Sequence, residues 1–239
     1  MENSMATLLH LDASARGGRS DLHRFGSHTR RLSARFVERW HATHPGDDVL
    51  YRDIGQRPPA PVDGNWIHAA FTPEPSRASW MCQRLGESDA LIDELLAADL
   101  IVAGVPMYNF GVPGGFKAYI DNIVRVGRTF GFDRSRAGAP YWPLLDDKPR
   151  TLVLLSSRGD YGYDAGGRIA PMNHVEPAVR TAFGYIGVTD VRTVAVEYDE
   201  FGGDCLAASL HAAEAAVDAL VDALQRERAA HALPPLLMA

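Results

Sequence analysis

Leu100-Ile-Val-Ala-Gly-Val105-Pro-Met-Tyr-Asn-Phe110-Gly-Val-Pro-Gly-Gly115-Phe-Lys-Ala-Tyr-Ile120-Asp121 is the stretch on which the fold turns. Residues 100–105 form an apolar run that reads as a buried strand. The run stops at Pro106, crosses a short loop and restarts at Gly114 as an amphipathic helix. In open α/β sheets, ligands bind in the crevice beyond the carboxyl ends of the strands. A loop there with Met107, Tyr108, Asn109 and Phe110, followed by Gly114 and Gly115, offers flat side chains and accessible backbone amides together. That pairing suits a planar, hydrogen-bonding ring such as a flavin. Taken alone, the segment reads equally well as a tight strand-to-helix turn with a hydrophobic staple.

Outward from this segment, strand-like and helical patterns alternate. Strands are expected at residues 7–11, 48–52, 100–105, 151–155 and 191–196, and helices at 29–44, 88–97, 114–126, 176–186 and 206–228. Residues 54–81 contain Pro58, Pro59, Pro61, Pro73 and Pro75 and read as a long irregular loop with at most one helical turn. Residues 131–149 are too long for a simple connection; with Phe132, Tyr141 and Trp142 they read as a packed, functional loop next to Phe130. The tail from Leu233 reads as loose or packed on a partner. Five strands alternating with helices predict an α/β fold: a doubly wound parallel sheet of order 2-1-3-4-5, with helices on both faces and residues 1–239 as one domain.

Composition narrows the function. With 46% hydrophobic and 23% charged residues the chain can bury a core, and its net charge of −6 argues against nucleic acid as a partner. Cys82 and Cys205 lack the spacing of a metal or redox pair, no secretory signal is apparent, and no run is long enough to span a membrane. A cytoplasmic location is expected. Among nine histidines only His41 and His44 share a helix face, and Ser156 and Ser157 lie in no G-x-S-x-G elbow, so neither a metal site nor a hydrolase nucleophile is expected.

In the expected topology the loops after strands one, three and four meet on one edge. The first carries Ser14, Arg16, Arg19, Ser20 and Arg24, then Ser27, His28 and Thr29 just before a helix. Hydroxyls and amides at a helix N-terminus make an anion site, although Ser27 or Thr29 acting only as a cap is the commoner arrangement. Neither G-x-G-x-x-G nor G-x-x-x-x-G-K-[ST] is present in that loop. The third loop, Ser157-Arg158-Gly159-Asp160 with Tyr161 and Tyr163 beyond, can hydrogen-bond the polar edge of a ring.

Pro106-Met-Tyr-Asn-Phe110, Lys117-x-Tyr119-x-Asp121, Gly127-x-Thr-Phe130, Ser157-Arg-Gly159 and Gly184-Tyr-Ile-Gly-Val-Thr-Asp190-Val together resemble the FMN-dependent NADH-azoreductase family, the flavodoxin-like quinone and azo reductases. The resemblance runs from the first strand to the last helix. It implies FMN held noncovalently at a homodimer interface, electrons from NADH or NADPH, and a planar acceptor such as a quinone or azo compound. Carried over by position, Ser14, Ser27, His28 and Thr29 would hold the phosphate and ribityl chain. Met107, Tyr108, Asn109 and Phe110 would lie along the ring, with Ser157, Arg158, Gly159 and Asp160 over its pyrimidine edge. Two departures stand out. The first loop is longer than the family pattern, so Ser20 competes with Ser27, which is favoured because it abuts the helix. Asp160 stands where the family usually has glycine, and a carboxylate there would disfavour an anionic reduced flavin unless it points to solvent.

The expected chemistry is a two-step cycle in which NAD(P)H and then the acceptor use the same face, with no side-chain nucleophile. Tyr161 and Tyr163 are candidate proton or hydrogen-bond donors, the alternative being structural tyrosines. Two rivals remain: a flavodoxin-type electron carrier without NAD(P)H turnover, and a flavin-free signalling domain with Asp12 as phosphoacceptor.

Overall fold

Side chains alternate across each strand, and burial on both faces makes the sheet a central layer. The computed structural model describes residues 5–232; the tail from Leu233 lies outside the described residues. Strands β1 (Thr7–Asp12), β2 (Asp48–Asp53), β3 (Leu100–Pro106), β6 (Thr151–Ser157) and β7 (Asp190–Val196) pair in parallel in the order β2-β1-β3-β6-β7, the order expected from the sequence. Leu9, Leu11, Ile101, Ala103, Leu152 and Leu154 face α3 (Ser79–Ala97), α4 (Gly114–Ile123) and α5 (Glu176–Ile186). Leu8, Leu100, Val102, Val153 and Leu155 face α1 (His28–Thr43) and α6 (Gly203–Ala232).

Helices α1 and α6 bury Leu32, Phe36 and Trp40 with Ala213, Val217 and Val221. Their outer edges are joined by a ladder at four-residue spacing: Arg31–Glu214, Arg35–Asp218 and Arg39–Asp222, each at 2.7 Å.

Residues 54–81 depart from the expected loop. Helix α2 (Gly64–Phe71) makes two turns, capped by the Asp63 carboxylate, which accepts the Trp66 N–H at 2.7 Å. The prolines flank this helix instead of interrupting it, and Trp66, Ala69 and Ala70 bury a helical stripe against Met81 and Leu85. Helix α3 begins at Ser79, nine residues before the expected start, because Met81, Leu85 and Ser88 continue the buried face of Leu91, Ile92 and Leu95.

The stretch at 131–149 holds all but the first residue of a hairpin, β4 (Phe130–Phe132) against β5 (Tyr141–Pro143). Gly131 is required there, since a Cβ would sit 2.0 Å from the Trp142 ring. Phe130, Phe132, Tyr141 and Tyr185 form one ring cluster, in which Tyr141 and Tyr185 are exposed. Among the described residues no helix is long and apolar enough to cross a membrane, and none of their His, Cys, Asp and Glu side chains form a metal-binding group. Cys82 and Cys205 are exposed free thiols.

Candidate functional site

Beyond the carboxyl ends of β1, β3, β6 and β7 lies a cavity of about 310 Å³, within the range of small-ligand sites. Four loops wall it: Ser14, Arg16, Ser27 and His28 after β1; Pro106 to Asn109 at and after β3; Ser157 and Gly159 at and after β6; Asp199 and Glu200 after β7.

One end is built to receive an anion. Ser27 caps α1, its Oγ accepting the Arg30 N–H at 3.3 Å and lying 2.9 Å from Thr29 Oγ1. The main-chain N–H groups of His28 and Thr29 have no acceptor among the described residues, as expected of a first turn, and no acidic side chain stands in that turn. Beneath it the buried Arg30 guanidinium reaches the carbonyls of Ser14 at 2.9 Å and Arg16 at 2.8 Å, and forks onto Asp53 at 2.6 and 2.9 Å. Turning those carbonyls inward fixes the course of the loop that carries Ser14 and Arg16. Asp12 completes the layer below, accepting from Ser33 at 2.7 Å and facing Arg30 at 3.4 Å. Burial raises the Asp12 pKa, but His10, Ser33 and Arg30 outweigh it and hold the carboxyl below its ordinary value.

The other end is a strained turn. Tyr108 and Gly111 exchange backbone hydrogen bonds at 2.9 and 3.1 Å around Asn109 (φ 47°) and Phe110 (φ 70°). Two consecutive left-handed residues in a two-residue hairpin are the type I′ pattern, which favours Asn-Gly. Here phenylalanine occupies the glycine position, at a cost of about 1–2 kcal/mol. The Phe110 carbonyl accepts the His174 N–H at 3.0 Å, and Tyr108 Oη accepts the Ala15 N–H at 3.1 Å, joining this turn to the first loop. The Asn109 and Phe110 N–H groups have no acceptor among the described residues.

On the third side the Met107 N–H donates to the Ser157 carbonyl at 2.9 Å. The Asp199 and Glu200 N–H groups donate to the carbonyls of Arg158 and Gly159 at 3.2 and 3.1 Å, which sets the β7 loop against the β6 loop. A Cβ on Gly159 would stand 2.5 Å from Glu200 Oε1, so glycine permits this close approach. His28 Nε2 lies 3.1 Å from Asp199 Oδ1, and that hydrogen bond, with further help from the charges of His28 and Arg16, lowers the Asp199 pKa against desolvation.

A family model described as flavodoxin-like fold (Flavodoxin_2) matches residues 6–221. The chain belongs to this flavodoxin-like family. Its relatives include an FMN-dependent NADH:quinone oxidoreductase 2 of Idiomarina loihiensis, 41% identical over 84% of this chain and 82% of the relative. An FMN-dependent NADH:quinone oxidoreductase of Opitutus terrae is 42% identical over 92% of this chain and 99% of its own length. Among solved structures, the FMN-dependent NADH-azoreductase of Bacillus anthracis in complex with FMN superposes with a TM-score of 0.78 at 16% identity, covering 92% of this chain and 99% of that one. At that identity the likeness speaks for the fold alone.

Within this flavodoxin-like chain the residues expected from the sequence divide. Ser14, Ser27, His28, Met107, Tyr108, Asn109, Ser157 and Gly159 line the cavity. Thr29 is buried behind Ser27 and offers only its N–H, and Phe110 stands at the exposed tip of the turn. Arg158 differs from the expectation: side chains alternate at the end of β6, so Ser157 and Gly159 face the cavity while Arg158 is buried on the opposite side against Glu176 and Glu197. The Asp160 carboxylate pairs with Arg168 at 2.6 Å and does not line the cavity. Tyr161 stacks on Tyr198 with centroids 4.7 Å apart, and Tyr163 is buried beneath the Arg158 guanidinium, so neither candidate donor faces the cavity. Among the arginines of the first loop, Arg16 lines the wall, Arg19 pairs with Asp21 and Glu38, and Arg24 covers Phe25. Asp199 and Glu200 escaped sequence reasoning, because the ladder that brings their loop to the cavity has no local signature.

Proposed function

We infer that this chain is an FMN-dependent NAD(P)H oxidoreductase that reduces quinones and azo compounds. The observation that carries the reading is the presence of two kinds of donor in the walls of one cavity: the first turn of α1 with Ser14, Ser27 and Arg16, and the β3 loop with Asn109, whose N–H has no acceptor among the described residues. Donors of that kind fit a phosphomonoester joined to a flat polar ring, and the relatives named as FMN-dependent support the same choice. FMN bound there supplies hydride chemistry that no amino-acid side chain offers.

The chain's own contribution is binding, orientation and electrostatics. Ser14, Ser27 and the α1 N-terminus neutralise the phosphate end. The Asn109 N–H, left without an acceptor by the left-handed turn, would serve as a hydrogen-bond donor to the polar edge of the ring, a dipole placed in advance. Tyr108 and Met107 line the wall against which the ring would lie, and NADH or NADPH and then the acceptor would approach from the open side. The exposed rings of Tyr141 and Tyr185 suit burial by a second copy, which supports the homodimer, and exposed unbridged thiols suit a reducing cytoplasm.

Asp12 speaks against a phosphorylated signalling domain: it is buried and bonded to Ser33, Arg30 and Tyr51, out of reach of a phosphodonor. The deciding experiment is steady-state turnover of the FMN-loaded protein with NADH and a quinone. Parallel double-reciprocal lines are expected. A protein that binds FMN yet oxidises no NADH or NADPH is instead an electron carrier.

A further inference from the structure

The segment that leads from β1 into α1 meets the loop after β7 through one imidazole and one guanidinium. His28 Nδ1 lies 2.9 Å from Ser20 Oγ, and His28 Nε2 lies 3.1 Å from Asp199 Oδ1. With both nitrogens engaged, the ring has none left for a ligand. His28 therefore meets an anion through its main-chain N–H, and its ring acts as a strut. The other Asp199 oxygen lies 3.6 Å from the Arg16 guanidinium, a side chain 54% exposed.

Asp199 is itself well fixed. Its N–H donates to the Arg158 carbonyl, and Tyr198 before it holds a left-handed φ of 70°. Its position is thus set by the sheet and not by the loop it grips. An exposed arginine loses rotamer freedom when it closes on a ligand. Asp199 draws Arg16 toward the mouth of the cavity, a bias that would preorganise a cation for an arriving anion. A carboxylate near a phosphate also repels it, but this one faces the Arg16 guanidinium and lies within hydrogen-bond distance of the His28 ring.

We propose that Asp199 is a positioning residue for phosphomonoester recognition, holding Arg16 and His28 at the anion end of the cavity so that the chain discriminates FMN from riboflavin. The proposal rests on the flavin reading given above. Riboflavin shares the ring and ribityl chain but lacks the phosphate, so a contact that serves only the phosphate alters one affinity and spares the other.

The test is titration of flavin-free protein with FMN and separately with riboflavin, followed by quenching of flavin fluorescence, for the wild type, D199A, D199N, R16A and the D199A/R16A double variant. Far-UV circular dichroism and thermal melts verify that each variant is folded. D199A is expected to weaken FMN by about tenfold, the scale of one charge-assisted hydrogen bond, with riboflavin unchanged within about twofold. D199N keeps an oxygen for the His28 ring and falls between. The double variant is expected to lose little more than R16A alone, since Asp199 acts through Arg16. Equal weakening of both flavins marks Asp199 as scaffold only and overturns the proposal. Tighter FMN binding by D199A, or no change, overturns it as well. A wild type that quenches neither flavin defeats the flavin reading itself, a failure visible before any variant is compared.

Discussion

The two ends of the cavity are made in opposite ways. The anion end is a layered arrangement of buried ions beneath a capped helix, with Asp12, Arg30 and Asp53 fixing the loop that carries Ser14 and Arg16. The ring end is a two-residue turn held by a pair of backbone hydrogen bonds, with Asn109 and Phe110 in left-handed conformations and Tyr108 and Phe110 partly in solvent. One end gains rigidity from what lies under it, whereas the other keeps local strain so that its amides face outward. Strain that persists at such a place is characteristic of binding sites.

The largest expected effect comes from removing the support of the anion end. Arg30→Met leaves Asp12 buried without its cation and frees two carbonyls, so unfolding in urea should show a loss of about 3–5 kcal/mol together with loss of FMN binding. If stability falls while FMN affinity holds, the two ends are less distinct than argued. Ser27→Ala removes both the helix cap and a cavity hydroxyl; about 1 kcal/mol of stability and about tenfold in FMN affinity should go together.

The ring end should respond in the other direction. Phe110→Gly completes an Asn-Gly turn and should stabilise the fold by about 1 kcal/mol, read as a rise of about 2–4 °C in Tm. Turnover with a quinone should fall if the Phe110 ring helps to seat the acceptor. Asn109→Pro is a poor probe of the amide, since proline cannot adopt the φ of 47° found there and would break the turn itself.

The smallest difference is one of pH. Asp12 and Asp199 both have pKa values lowered in the folded state. Their stabilising contribution is complete above the ordinary carboxylate value of about 3.9 and is lost as pH falls through the lowered one. Hydrogen exchange at pH below about 4 should therefore loosen residues 14–30 before residues 107–111, whose turn contains no carboxylate.

Much of this was legible in the sequence because it is local. The run at 100–105 and its Met-Tyr-Asn-Phe loop announced strand, turn and helix, and Ser27 announced itself by standing where the helical pattern begins. Helix α2 was missed because five prolines hide a stripe only three residues deep, Trp66, Ala69 and Ala70. The Arg158 side chain, one residue past the end of β6, lies on the side opposite Ser157, as strand periodicity places it. Asp199 could not be read at all, since its approach to His28 spans 171 residues and depends on how β6 and β7 end side by side.

The arginine ladder on α1 carries one more implication, for how the protein comes into being. The helix whose first turn offers the anion site lays part of its apolar side on the sheet, but its ladder of three cations and its contact with Ala213, Val217 and Val221 are completed only once residues 213–222 have been synthesised. A nascent chain still short of that point would leave the α6 side of Phe36 and Trp40 uncovered. The layer behind α1 is thus closed only when α6 arrives, and two helices far apart in sequence consolidate together.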